Sequence, residues 1–458
     1  MYKIDFKKPE HVHFIGIGGI SMSGLAEILL KENFTISGSD SKPSNLTAHL
    51  ESMGAKIFFP QKAENVIEGI DVVVYTAAIH EDNPEYMEVV RQGIPMLSRA
   101  ELLGQLMKNY TTPIAVAGTH GKTTTTSMLS HILLEAETDP TISVGGILNA
   151  IGGNIRVGNS DVFVTEACEY TNSYHSFFPK ISIILNVEED HMDFFKDIHD
   201  IRASFHKFAS ILPEDGVLVI NKNIEGLDTI IDGLNCKVVT YSECQDADYT
   251  AANISFDESG NASFDLIKYG ENIGRIKLSV AGMHNVSNAL STIAVADFMN
   301  IPLEKAQAGI ASFVGTVRRF EYKGERNGFT IIDDYAHHPT EIKATLTSAQ
   351  NYPHRDIWCI FQPHTYTRTK AFFHEFAEAL SLADHVILAD IYAARETDTL
   401  GMSSEALAEE IKKLGVDAYY LPSFEAIENF VLEKVIHGDV LITMGAGDVV
   451  NIGESLLK

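Results

Sequence analysis

The chain of 458 residues is poor in tryptophan (one), in cysteine (four) and in basic side chains, with 35 Lys and Arg against 62 Asp and Glu. Each shortage excludes something. Cys168, Cys236, Cys244 and Cys359 are never spaced C-x-x-C, so neither a zinc site nor a disulfide framework is expected. A formal net charge of −27 leaves no excess of cations to grip a phosphate backbone, so no nucleic-acid partner is expected. That charge bears on solubility and association rather than on fold. No apolar run reaches about 18 residues, and the opening MYKIDFKKPEHVHFIGIGG has no signal-peptide hydrophobic region. A cytoplasmic protein with no membrane partner is therefore expected.

What is present is a core-forming chain. Hydrophobic residues make up 45% of it, and its length suits about three domains of roughly 150 residues. Short Val- and Ile-rich runs alternate with helical patterns throughout, which predicts an α/β fold of three domains, with the runs as buried parallel strands. The first segment, 1–107, holds HVHFIGIGGISMSGLAEILL, TISGSD and DVVVYTAAI, and ends in the helical RAELLGQLMKN. The second, 108–315, holds DVFVTE, ISIILN and GVLVIN, a polar stretch near 240–280 that reads as meandering β, and the helical AGMHNVSNALSTIAVADFM. The third, 316–458, contributes FTIIDD, IWCIFQ, HVILAD and DVLITMGAG.

The stretch IAVAGTHGKTTTTSML departs from the usual G-x-x-x-x-G-K-[ST] phosphate loop. Val116 stands where the first glycine belongs, and Gly118 comes two residues later. The physical requirements are nevertheless met. Gly118 and Gly121 free backbone N–H groups to turn toward phosphate, and a helix N-terminus lies behind them. Lys122 can reach the β and γ phosphates, and the Thr123 hydroxyl can bind Mg²⁺. Metal partners belong at the ends of neighbouring strands. Glu166 ends one strand, and NVEEDHMDFF after another offers Asn186, Glu188, Asp190, His191 and Asp193. His191 taken alone also fits a loop or capping histidine.

In the first segment GIGGIS reads G-x-G-x-x-S, and Asp40 ends the second strand. Amides of Gly16, Gly18 and Gly19 at a helix start suit any diphosphate, of a nicotinamide dinucleotide or of UDP, and Ser21 replaces the third glycine of the dinucleotide fingerprint.

GTHGKTTTT, EACEYTNSYHSFFP, NVEEDHMDFF, GMHNVSNALSTIAVA, RRFEYKG, DDYAHHPTEIKAT and FQPHTYTRTKAFFHEFAEAL, in this order with the two glycine motifs, resemble the Mur ligases along the whole chain. The pattern is nearest to the alanine-adding members. The family's loop has the form G-T-x-G-K-T, so Val116 is no defect. The resemblance implies a Rossmann-like UDP-binding domain, a P-loop ATPase-like central domain and a Rossmann-like C-terminal domain. It also implies a reaction in peptidoglycan precursor synthesis. ATP phosphorylates the lactyl carboxylate of UDP-N-acetylmuramate, and the amine of L-alanine attacks the acyl phosphate. Two Mg²⁺ ions assist.

Residue by residue, the resemblance places ATP at Gly118, Thr119, His120, Gly121, Lys122, Thr123, Thr124, Asn285, Asn288, Arg319 and Asp334. It places metal at Thr123, Glu166 and His191, and catalysis at Lys122, Glu166, His191 and Arg319. The UDP-sugar falls to Gly16, Gly18, Gly19, Ile20, Ser21, Ser39 and Asp40. The muramoyl and alanine groups fall to His337, His364 and Arg368. Some relatives carry a second arginine where this chain has Thr365, which leaves the anchor of the alanine carboxylate open. Alternatives are a recycling ligase that adds a preformed peptide, a non-catalytic sensor of ATP and UDP-sugar, and, for the first segment alone, a nicotinamide dehydrogenase.

Overall fold

The computed structural model describes residues 2–76, 78–394, 396–398 and 400–458. The chain forms two compact units: residues 1–187, 199–240 and 294–305 make one, and residues 188–198, 241–293 and 306–458 the other.

The first unit opens with a parallel sheet of β1 (His11–Ile15), β2 (Thr35–Ser39), β3 (Lys56–Phe58), β4 (Val72–Tyr75) and β5 (Met96–Ser98), in the order β3-β2-β1-β4-β5. Strand order reverses beside β1, which puts a ligand crevice at its C-terminal end. Val12, Phe14, Val72, Val73 and Val74 are fully buried, as are Ala26, Ile28 and Leu29 of the helix Ile20–Lys31. Each such Val, Ile, Leu or Phe contributes about 1.5–3 kcal/mol.

A second sheet begins in this unit with β6 (Thr112–Ala117), β7 (Thr141–Leu148), β8 (Gly153–Arg156), β9 (Val162–Ala167), β10 (Ile181–Ile184), β11 (Val217–Asn221) and the first four residues of β12 (Lys237–Ser242), in the order β8-β7-β9-β6-β10-β11-β12. β6 lies between β9 and β10 and is parallel to both. All four of its residues from Ile114 to Ala117 are fully buried. The expected apolar strands are all present. β7, TISVGGIL, carries two glycines that break its apolar run, and it was not legible as a strand.

In the second unit, Tyr241 and Ser242 pair with β13 (Tyr249–Phe256), which leads into the antiparallel β14 (Asn261–Lys268) and β15 (Glu271–Ala281). This is the expected meander. The helix Met283–Phe298 follows. A further sheet holds β16 (Glu321–Arg326), β17 (Phe329–Asp334), β18 (Ile357–Phe361), β19 (His385–Leu388), β20 (Asp417–Tyr420) and β21 (Val440–Met444), ordered β16-β17-β21-β18-β19-β20. Only β16 is antiparallel to its neighbour. Ile331, Ile360, Ile387 and Leu441 enter one core, and Ile332, Phe361, Leu388 and Ile442 enter another. The period-2 alternation of the strands thus feeds two apolar faces, which is why these strands read as continuous hydrophobic runs.

Candidate nucleotide and substrate sites

β6 runs straight into the phosphate loop. Gly118 and Gly121 have φ of +145° and +82°, where a side chain is strained, and a Cβ on Gly118 would lie 2.9 Å from that of Leu185. Gly121 precedes the helix Lys122–Glu135 with no side-chain cap, so the first-turn amides face outward for an anion. Asn186, just past β10, holds the loop from the side. Its Oδ1 accepts from the His120 amide at 2.7 Å, its Nδ2 donates to the His120 carbonyl at 3.1 Å, and its carbonyl accepts from the Thr119 amide at 3.3 Å. The sequence offered Asn186 only as one of several polar residues after the strand.

The Lys122 ammonium donates to the carbonyls of Gly118 (2.5 Å) and Thr119 (3.1 Å) and lies 3.0 Å from Glu169 Oε2. Burial alone would lower its pKa. The Glu169 carboxylate, together with Cys168 and Glu166, outweighs burial, and the net shift is upward, so the side chain stays charged. Glu169 is 2% exposed and was not among the expected site residues.

Glu166, in β9, accepts the Gly145 amide of β7 at 2.6 Å on Oε1. A Cβ on Gly145 would fall 2.8 Å from Glu166 Oε2, and one on Gly146 would fall 3.1 Å from Thr123 Cγ2. The glycine pair therefore leaves open a cradle bordered by the Glu166 carboxylate and Thr123. An all-oxygen donor set with that clearance fits Mg²⁺.

The first glycine turn is held by its own amides. The Gly16 amide donates to the Ser39 carbonyl (2.8 Å), the Gly18 amide to Asp40 Oδ2 (2.8 Å) and the Gly19 amide to the Gly16 carbonyl (3.3 Å). These amides close the turn onto itself and onto β2, so they are committed internally. The amides of Ile20, Ser21 and Met22, in the first turn of the uncapped helix, are those a helix leaves without intrahelical acceptors. Asp40 serves as the brace of the turn. The Ser39 side chain is fully buried and donates to Glu85, itself fully buried, while the Ser39 carbonyl accepts the Gly16 and Ile17 amides. Arg99, directly after β5, donates from Nη1 to Ser21 Oγ at 3.1 Å and brings a cation to this helix start. A lone arginine following a strand of the same sheet was the available signal, and it was missed.

In the second unit, Asn285 and Asn288 sit one turn apart and are linked at 3.0 Å, with Asn285 Nδ2 donating to the Ala281 carbonyl at 2.7 Å. The two adjacent arginines, Arg318 and Arg319, share one aromatic neighbour. Arg318 is tied to Asp333 (3.0 Å) and to the carbonyls of Gly445 (2.7 Å) and Gly447 (3.1 Å). Both guanidinium groups lie over the Tyr335 ring, Arg318 at 4.9 Å and Arg319 at 5.2 Å from its centroid. Asp334 accepts the amides of Phe320 (2.8 Å) and Ala336 (2.7 Å). Burial pushes its carboxyl up to about 6, against the opposing pull of Arg319 and these hydrogen bonds.

His337, His364 and Arg368 do come together. The two imidazoles are 5.9 Å apart edge to face, and Arg368 Nη1 is 3.2 Å from His364 Nδ1. Burial lowers His337 to about 4, which keeps it neutral at pH 7. The other side of the Arg368 guanidinium is committed to Asp190, with Nη2 at 3.0 Å and Nε at 3.3 Å from Oδ1. Asp190 also lies beside His191: it accepts the His191 amide at 2.7 Å, and its Oδ2 is 3.7 Å from His191 Nε2. A carboxylate behind a histidine is the usual support of a metal-binding imidazole. His191 has φ +54° and Thr365 φ +67°. For a β-branched residue that is a strained backbone, of the kind that gathers at functional sites. Thr365 Oγ1 accepts the Arg368 amide and caps the short helix Tyr366–Ala371, so it braces Arg368.

A mononucleotide phosphate loop within an α/β sheet, together with a second glycine turn at a sheet crevice, defines a nucleotide-dependent α/β enzyme. The matched family models narrow this: Mur ligase family, catalytic domain, at residues 11–111; Mur ligase middle domain at 116–296; and Mur ligase, glutamate ligase domain, at 318–447. The chain is 59% identical over 458 residues to the UDP-N-acetylmuramate–L-alanine ligase of Agathobacter rectalis, covering 100% of both. It is 58% identical to that of Lachnospira eligens, again over the full length of both. Among solved structures it resembles the UDP-N-acetylmuramate-alanine ligase MurC of Thermotoga maritima, with TM-score 0.80, 30% identity and 98% of each chain covered. A murein peptide ligase of Psychrobacter arcticus follows at TM-score 0.70 and 26% identity, also with 98% of each covered. The chain belongs to the Mur ligase family.

Proposed function

We propose that this chain is the ATP-dependent ligase that joins L-alanine to the lactyl carboxylate of UDP-N-acetylmuramate, in the synthesis of peptidoglycan precursors. The observation that carries the reading is end-to-end identity of 58–59% with ligases named for that reaction. Segments 1–107, 108–315 and 316–458 take the UDP-sugar, ATP and the amino acid respectively.

The lactyl carboxylate attacks the γ-phosphorus of ATP, giving an acyl phosphate and ADP. The alanine amine then adds to the acyl carbon, and the tetrahedral intermediate collapses with loss of phosphate. Carboxylate and triphosphate repel each other, so the first step depends on fixed positive charge. Lys122 supplies it on the β and γ phosphates as a point charge, with the loop amides and helix start behind it. The family resemblance assigns Arg319, Asn285, Asn288 and Asp334 to ATP as well. Thr123 and Glu166 would hold one Mg²⁺ and His191 a second, and these ions would screen the phosphate oxygens and align the transfer. Uncharged His337, with His364 and Arg368, receives the muramoyl and alanine groups. The first-turn amides of Ile20 and Ser21, with Gly16, Gly18, Gly19 and Asp40 shaping the turn, receive the UDP diphosphate.

Purified protein with UDP-N-acetylmuramate, ATP and Mg²⁺ should release phosphate when amino acids are offered in turn. L-alanine should be preferred, with leakage to glycine and serine, because a one-methyl pocket discriminates by only about 1–3 kcal/mol. Equal turnover with a free tripeptide would mark a recycling ligase instead, and no release with any acceptor would mark a sensor.

A further inference from the structure

Two carboxylates, Glu166 and Glu169, leave β9 three residues apart and have different partners. Glu166 meets the β7 glycines beside Thr123. Glu169 reaches Lys122, and its position is heavily determined. Beyond Tyr170, Thr171 and Asn172 are both left-handed, with φ of +55° and +57°. Two consecutive non-glycine residues in that region cost free energy that surrounding contacts must offset. The contacts are present. The Asn172 amide donates to the Glu169 carbonyl at 2.9 Å, and the Asn172 side chain accepts from Ser204 Oγ. Tyr174 Oη is 2.9 Å from Ser204 Oγ, and His175 Nε2 is 3.0 Å from the Ser204 carbonyl. A strained turn pinned in this way aims a nearly fully buried carboxylate at one ammonium group.

That ammonium has three N–H donors, and three acceptors take them: the Gly118 carbonyl, the Thr119 carbonyl and Glu169. Phosphate oxygens therefore compete with protein oxygens for Lys122. We propose that Glu169 is a positioning residue for the nucleotide: its carboxylate holds the Lys122 ammonium back on the phosphate loop, and ATP binds by exchanging that ion pair for phosphate contacts. The proposal rests on the reading of Gly118–Thr123 as the ATP site. While the ammonium is held, only the released fraction of molecules is competent, and apparent affinity is reduced by that fraction.

The test is Glu169→Gln, which keeps shape and hydrogen bonding and removes the charge. Calorimetric titration with ADP, with and without Mg²⁺, should show binding tighter than wild type by about fivefold or more in both conditions. Glu169→Asp, which keeps the charge, should return affinity toward wild type. Unchanged affinity in Glu169→Gln overturns the proposal. So does weaker binding with a lower melting temperature, which a purely structural carboxylate predicts. Weakening confined to the Mg²⁺ titration also overturns it, because Glu169 would then be a metal ligand. If wild type bound no ADP at all, the reading of the loop would fail instead, so the two failures are distinguishable.

Discussion

The first unit contains two strand–glycine-turn–helix crossings that look alike and are built differently. At β1 the turn closes on itself: the amides of Gly16, Gly18 and Gly19 bond to Ser39, Asp40 and Gly16, and only Gly16 among them has a positive φ. At β6 the turn is opened: Gly118 and Gly121 both have positive φ, and the bracing comes from Asn186, just past β10. The β6 crossing carries its cation in the loop itself, as Lys122. The β1 crossing borrows Arg99 from beyond β5. A loop that handles a reacting γ phosphate needs a cation at a fixed place, whereas one that only binds a diphosphate can work from helix-start amides and a neighbour. Local glycine spacing does not separate the two designs. The braces do.

Removing the loop cation should have the largest effect. Lys122→Ala should lower ligase turnover by at least about 10²-fold, the range for deleting one preorganised electrostatic contact. UDP-N-acetylmuramate should bind this variant with near-normal affinity in calorimetry. If both ligands were lost together with a fall in melting temperature, the contrast between the crossings would collapse.

A matched pair of glycine substitutions comes next. Gly118→Ala puts a side chain at φ +145° and 2.9 Å from Leu185 Cβ, and Gly18→Ala puts one 2.8 Å from Asp40 Oδ2. Backbone strain of about 1–3 kcal/mol predicts roughly tenfold or greater weakening of ATP by the first. The second should weaken UDP-N-acetylmuramate by about tenfold through loss of the Asp40 brace. Each variant should spare the other ligand, so titrating both ligands against both proteins gives a crossed pattern, and an uncrossed one breaks the comparison.

Asn186→Ala leaves the His120 amide and carbonyl without this partner. At about 1–3 kcal/mol for a buried unpaired group, ATP affinity should fall by about tenfold, again with UDP-N-acetylmuramate spared. The smallest effect is expected for Asp40→Asn, whose side-chain oxygen can still accept the Gly18 amide. A loss of about threefold or less in UDP-N-acetylmuramate affinity fits a brace that acts by hydrogen bonding. A loss as large as that of Gly18→Ala would show that the Asp40 charge itself matters.

Much of this architecture is local in origin and legible for that reason. An apolar run, a glycine turn and a helical pattern are set by neighbouring residues, so β1, β6, β9, β10, β11, β17, β18, β19 and β21 follow from the chain itself. Short edge strands such as β3 and β20, and β7 with its glycine pair, have weak periodicity and gain their identity only by pairing. The partners of Arg318, Asp333 and two carbonyls on a distant loop, are likewise set by packing and have no local signal.

The sequence by itself determined the α/β class, the positions of both glycine turns, the phosphate-loop lysine and the set of residues that mark a Mur ligase. All of these are carried by short spans whose spacing has direct chemical meaning. The tertiary structure alone decided which polar groups are already committed. It set Asp40 and Ser39 against the first glycine turn, set Glu169 against Lys122 across 47 residues, and set Asp190 against Arg368 across 178. The physical reason is that a hydrogen bond or an ion pair depends on distance and desolvation, and chain proximity fixes neither when the partners arrive on different strands.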